Sequence, residues 1–339
     1  MLGALRAAKR QGKSVKYFRK RAGIIILLLF IFVYLNNTSL WFRPEGRPLL
    51  LAHRGLAQTF PMEGITDETN TAARIYEPEH PYLENTIASM EAAFAAGADI
   101  VELDIQPTND GHFVVFHDWI LDYRTDGSGP VREHSLAELK KLDIGYGYTA
   151  DNGKTYPFRG KGVGLMPTLA EVLERFPQES LLIHIKSNDP NEGEMLADFL
   201  RAYPEERLDS LAVYGGDEPI AVLQKRLPRL RVMSKATMKK ALLSYLAVGW
   251  TGYVPKAMRH TQLHLPLRYA RLLWGWPHRF LQRMEKVGTR VIIVAGDGAY
   301  SEGFDTVESL QELPENFTGG IWTNRIDRIA PVFLDKPAS

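Results

Sequence analysis

The sequence predicts an α/β fold: a parallel sheet closing into a (β/α)8 barrel, preceded by one N-terminal transmembrane helix. Three observations predict it. From residue 49 onward, short apolar runs alternate with segments of helical periodicity, the pattern of parallel strands joined by crossover helices. Eight such runs can be picked out, the number that closes a barrel. At the other end, residues 1–21 carry eight cations and no acid, and residues 22–42 carry no charge at all.

The elements follow in chain order. Residues 1–21 form a basic cytoplasmic tail. The dense apolar run 24–35 lies in the uncharged segment 22–42, which as one helix of about 1.5 Å per residue would cross a hydrocarbon layer of about 30 Å. The basic flank sets the N-terminus in the cytoplasm, so the rest of the chain is expected outside it, with Trp41 and Phe42 at the far interface. The run ends in Asn-Asn-Thr-Ser-Leu-Trp, a poor leader-cleavage site, which favours an uncleaved anchor. A short linker, 43–48, is stiffened by Pro44 and Pro48. The barrel domain is expected over 49–335. Its candidate strands are 49–53, 100–105, 113–117, 181–186, 211–214, 231–234, 252–254 and 290–294. Its candidate helices are 86–96, 168–176, 192–203, 219–227, 237–248 and 265–285. Three stretches read as additions: 57–83, rich in Glu, Asp, Thr and Pro; the Gly- and Tyr-rich 145–166; and 263–284, where Trp274, Trp276 and Phe280 lie among arginines. The first two follow strands and are expected to shape substrate entry.

Composition removes some functions. With no cysteine, neither a disulfide framework nor a thiolate metal site is possible. Beyond residue 21 the chain has 33 basic and 40 acidic residues, so nothing in its balance points to nucleic acid.

The chemistry is concentrated between residues 49 and 118. Strand residues alternate faces, so Glu102 and Asp104 point together into the barrel while Val101, Leu103 and Ile105 point out. Two buried anions repel and lose hydration unless a cation joins them, which points to a divalent metal. His53 and His117 each close an apolar run, placing them at strand C-termini, where barrels carry their chemistry. Such a pair can exchange protons near neutrality, one as base and one as acid. His112 and His134 lack that context and are expected at the surface. Arg54 offers a planar fork for two phosphate oxygens, or a salt bridge to Glu84 or Asp118. Gly55 lets the backbone turn close to a ligand, and Asn85 suits the cap of the helix that follows. The glycines around Asp297 read as a simple turn.

The wording His53-Arg54-Gly55, Glu84-Asn85-Thr86, Glu102-Leu103-Asp104 and His117-Asp118 resembles the glycerophosphodiester phosphodiesterase family. The segment Gly319-Gly-Ile-Trp322-Thr323-Asn324-Arg325 resembles the family's closing segment at the barrel mouth. The resemblance implies a TIM (β/α)8 barrel and hydrolysis of glycerophosphodiesters to glycerol 3-phosphate and an alcohol. It implies His53 and His117 as the acid–base pair, Arg54, Lys186 and Glu84 on substrate, and one divalent metal on Glu102 and Asp104. One departure stands out. Where the family has Ile-Glu-Ile-Lys, this chain has Ile183-His184-Ile185-Lys186. A nitrogen donor at His184 moves the expectation from calcium or magnesium toward manganese, iron, cobalt or zinc, unless Glu63 or another acid completes the shell. Two other functions remain open: a lysophospholipase D acting on membrane lysophospholipids, and a non-catalytic phosphodiester-binding barrel.

Overall fold

The computed structural model describes residues 2–40, 42, 44–66, 68–296 and 302–334, with the backbone alone for 2–16. Trp41, Arg43, Asp297 and the expected domain end at residue 335 lie outside the described residues.

Nine strands form one sheet: β1 Leu49–Ala52, β2 Ile100–Pro107, β3 Phe113–Val115, β4 Ser180–Ile185, β5 Leu211–Gly215, β6 Arg231–Ser234, β7 Gln262–Pro266, β8 Arg290–Val294 and β9 Gly320–Thr323. Eight run parallel in the order β6-β5-β4-β2-β1-β9-β8-β7, and β3 hangs off β2 as an antiparallel partner. The ring is nearly closed. Between its end strands no ladder forms, but the Thr261 hydroxyl donates to the Val232 carbonyl at 2.6 Å.

Eleven helices are described: α1 Leu2–Asn37, α2 Ile87–Ala96, α3 Leu136–Leu139, α4 Leu169–Arg175, α5 Pro190–Leu200, α6 Glu205–Ser210, α7 Asp217–Arg226, α8 Lys235–Val248, α9 Leu267–Ala270, α10 His278–Lys286 and α11 Ile326–Leu334. The outward faces of the strands, with Val101, Leu103, Ile183 and Ile293, pack on the helices in one apolar core.

Two strand expectations need correction. Residues 113–117 are not a barrel strand: β3 stops at Val115 and pairs antiparallel. Residues 252–254 form no strand; the chain there leaves a 3-10 turn through Gly252 in the left-handed region. The missing barrel strands are β7, overlapping the start of the segment read as an aromatic addition, and β9, inside the closing segment. Phe280 is fully buried against that core, so most of 263–284 is barrel.

The anchor finds no support. Among the described residues, no helix is long and apolar enough to cross a membrane. The expectation needed 22–42 as one helix. Instead α1 ends at Asn37, where Asn36 and Asn37 donate to the Trp250 carbonyl at 3.1 and 2.9 Å. The uncharged helical part, 22–37, is about 24 Å long, short of the about 30 Å required. Part of the linker is docked too: Arg47 forms a two-point ion pair with Asp99 at 2.6 and 2.7 Å.

Candidate active site

The end of β1 sets the first group. Arg54 and Gly55 both adopt positive φ, 61° and 80°, which reverses the chain directly above the barrel. There is no room beside Gly55: a Cβ would sit 2.6 Å from the Ser89 hydroxyl and 2.8 Å from its carbonyl carbon. We expect Gly55→Ala to cost about 1–3 kcal/mol from strain and overlap, read as a lowered chemical-denaturation midpoint. The turn aims Arg54 inward. Its Nη1 donates to Glu84 at 3.0 Å, its Nε lies 3.3 Å from Asp104 and 3.1 Å from His53 Nε2, and its backbone amide donates to Glu102 at 3.2 Å.

Asn85 is not the helix cap. Thr86 caps α2 in a reciprocal box with Ser89. Asn85 sits at φ 59° and turns to the site, donating to the Asp104 carboxylate at 3.0 Å and accepting from the Asp104 amide at 3.1 Å.

Register builds the second group. Asp104 on β2 pairs with His184 on β4, and His184 with Tyr214 on β5. Alternation puts all three, and Glu102, inside the barrel. His184 Nδ1 lies 2.8 Å from Asp104, and its ring stacks on Tyr214 with centroids 4.1 Å apart. The Tyr214 hydroxyl donates to Glu102 at 2.8 Å. One donor atom each from Glu102, Asp104 and His184 lies within 4.8 Å of the others. Both carboxylates are buried. Burial and the Asp104 charge push the Glu102 carboxyl well above the usual range. For Asp104 burial acts in the same sense, but the charges of His117 and Arg54 and the His184 hydrogen bond hold it well below. Glu63 is exposed and Glu84 is tied to Arg54 and Arg124, so neither joins this cluster.

Both histidines line one cleft. His53 Nδ1 is 2.6 Å from the Asn324 Oδ1, and Asn324 is itself held by Asp305. His117 lies beyond the end of β3, in a loop fixed by Gln106, whose amide reaches the Asp118 carbonyl at 2.5 Å. His117 Nδ1 is 2.7 Å from Asp118, and Asp118 pairs with buried Arg124 at 2.9 Å. Each Nε2 therefore points to the cleft, where a cation rests on it: Arg54 on His53, and the Lys186 amine on His117 at 2.7 Å. Burial, then the Arg54 charge, lowers both histidines, His53 the more strongly. Burial also lowers Lys186.

These groups open into a cleft of about 770 Å³ whose outer wall is Phe60, Ile65, Thr66, Glu68, Trp119 and Tyr123. The insertion 57–83 thus shapes the entrance, as expected. The 145–166 loop does not line it. Tyr148, Phe158 and Met166 instead bury a second core with Ile75, Leu83 and Phe116, which supports the insertion from beneath. His112 is exposed and His134 half-buried, both away from the cleft.

Sequence reasoning missed Arg124, Tyr214 and the supporting role of Asn324. It also missed His264, wedged between Tyr214 and Trp322 in the barrel interior. The Gln262 amide donates to its Nε2 at 2.8 Å, and burial lowers it to about 3. The unfolded chain binds this proton below about pH 6.5 and the folded chain only near 3, so stability falls as pH drops through that window. We expect His264→Gln to remove on the order of 3 kcal/mol of that acid sensitivity, read from urea titrations at pH 7 and pH 4.

Parallel strands, crossover helices and polar groups gathered beyond the strand C-termini define a TIM-type (β/α)8 barrel with its site at the usual end. The chain belongs to the glycerophosphoryl diester phosphodiesterase family, whose profile matches residues 53–247. It is 44% identical over 122 residues to a glycerophosphodiester phosphodiesterase of Bacillus subtilis, covering 35% of this chain and 39% of that one. It is 35% identical over 140 residues to the enzyme of that name from Caldanaerobacter subterraneus, covering 41% and 45%. The chain thus spans less than half the length of these curated relatives. Among solved structures it resembles the glycerophosphoryl diester phosphodiesterase domain of an uncharacterised Mycobacterium tuberculosis protein, with TM-score 0.59, 18% identity, and coverage of 83% and 97%. It also resembles an Oleispira antarctica phosphodiesterase in complex with the product sn-glycerol-3-phosphate, with TM-score 0.53, 18% identity, and coverage of 87% and 98%.

Proposed function

We propose that this chain is a metal-dependent glycerophosphodiester phosphodiesterase, releasing sn-glycerol 3-phosphate and an alcohol. The observation that carries the reading is the pair of histidines whose Nε2 atoms face one cleft beside Arg54, Lys186 and the Glu102–Asp104–His184 cluster. Its donors fit a divalent cation, because two buried carboxylates and an imidazole nitrogen converge where a proton and a hydrogen bond now offset their repulsion. A cation there would supply Lewis acidity toward the phosphate and the attacking hydroxyl.

The remaining steps belong to the chain. An incoming phosphodiester competes for Arg54 and Lys186. Drawing those cations onto phosphate oxygens frees both histidine nitrogens. One histidine takes the proton of the glycerol 2-hydroxyl, which attacks phosphorus, and the other protonates the leaving alkoxide. Water then opens the cyclic phosphate with the roles exchanged. Asn324 and Asp118 each occupy Nδ1, so proton traffic runs through Nε2.

The apolar part of the outer wall, Phe60, Ile65 and Ile120, supports a second reading, a lysophospholipase D whose substrate lays its acyl chain there. A non-catalytic barrel has no comparable support, since both histidines are held ready for proton transfer. Choline release from glycerophosphocholine and from lysophosphatidylcholine, across a metal panel, tests the assignment. Release from the first supports the diesterase, and release from the second alone supports the lipase. No release from either with any metal refutes both.

A further inference from the structure

Charge is unevenly spread along this chain. Between Glu218 and Glu285 there is no acidic residue in 66 positions, and there are 13 lysines and arginines. The rest of the chain beyond residue 21 then holds 20 basic residues against 40 acidic. Nine of the 13 lie in α8, α9, α10 and the turns between them; of the others, Arg226 and Arg229 are paired with acids outside the segment.

The same sector shows its apolar side chains to solvent. On α8, Lys239, Leu243 and Leu246 follow one another at helical spacing, with the two leucines 57% and 39% exposed. Leu272 is 69% exposed, and Tyr253, Tyr269 and Trp274 are exposed as well. α8 and the turn that carries Leu272 and Trp274 are joined. The Trp274 indole donates to the Leu246 carbonyl at 2.9 Å, and the Tyr245 hydroxyl ties α8 to the Trp274 carbonyl at 2.8 Å. Lys239, Lys240, Arg268 and Arg271 are exposed too. α1 departs from here: Arg283 donates to the Asn36 carbonyl at 2.8 Å, and the apolar residues Ile25, Ile26 and Phe30 of α1 are 65–69% exposed.

We propose that the α8–α10 sector is a docking face for an anionic phospholipid surface. Cations with long apolar stems interleaved with leucine and aromatic side chains match a headgroup layer, where charge meets lipid phosphate and apolar tips enter the acyl boundary. The leucines favour lipid over a nucleic-acid backbone, which offers them no apolar partner.

Because the chain lacks cysteine, a single nitroxide label reads the face directly. The full chain carrying Leu272→Cys is compared with Val163→Cys, an exposed position on the distant 145–166 loop. Vesicles of phosphatidylcholine, with or without phosphatidylglycerol, are the probe. With phosphatidylglycerol, the ratio of oxygen to nickel-chelate accessibility at Leu272→Cys should rise severalfold while Val163→Cys is unchanged. Lys239→Ala with Lys240→Ala should lower the preference for anionic over neutral vesicles about tenfold or more. A Leu272→Cys label as water-exposed as the control on anionic vesicles, or shielded equally on both compositions, overturns the proposal. So does failure of the chain to bind.

Discussion

Replacing His53 or His117 with alanine should lower kcat at least about 10²-fold on glycerophosphocholine while leaving the far-ultraviolet circular dichroism unchanged. Each ring is held at Nδ1 by a partner that serves no other catalytic group, so its loss removes a proton carrier without collapsing the barrel. KM should change less than kcat, because phosphate binding rests on Arg54 and Lys186. His112→Ala, at an exposed position away from the cleft, should be silent. Near-wild-type rates in both His53→Ala and His117→Ala would refute the acid–base assignment.

Removal of divalent metal should abolish turnover, and manganese, cobalt or zinc should restore it at least as well as calcium or magnesium. The physical ground is the nitrogen donor of His184 in a set whose other members are oxygens. Asp104→Asn and Glu102→Gln should each prevent restoration and weaken metal binding in calorimetry. Because Glu102 holds its proton above the usual carboxylate range, metal affinity should rise with pH as that proton is displaced. His184→Glu should shift preference toward calcium or magnesium. A wild type that answers only to calcium, with affinity intact in His184→Ala, would make His184 a wall residue.

Much of the site was legible because its signals are local. Alternation alone put Glu102 and Asp104 on one face, and the end of an apolar run located His53; Lys186 came from the family resemblance, and His117 lies in the loop beyond β3 rather than at a barrel strand end. The misses are tertiary. Tyr214 reads as an ordinary strand residue until register seats it beside His184. Arg124 directly follows a 3-10 turn with no periodicity around it, and its role depends on Glu84 and Asp118 folding over it. β7 was hidden because Gln262-Leu-His-Leu-Pro is short, polar on its inner face and followed at once by helix. β9 carries Gly320 where a strand signal would want a β-branched residue. For α1, the charge boundary was visible but the end of the helix was not: Asn36 and Asn37 stop it by reaching Trp250, more than 200 residues away in sequence.

Attack by the glycerol 2-hydroxyl would cleave a glycerophosphodiester on the alcohol side. Phosphorus NMR of glycerophosphocholine turnover by the metal-loaded chain tests it most directly. The diester signal should pass through a five-membered cyclic phosphate to glycerol 3-phosphate, with free choline. Phosphocholine as the phosphorus product, or an unchanged diester with every metal, would contradict it.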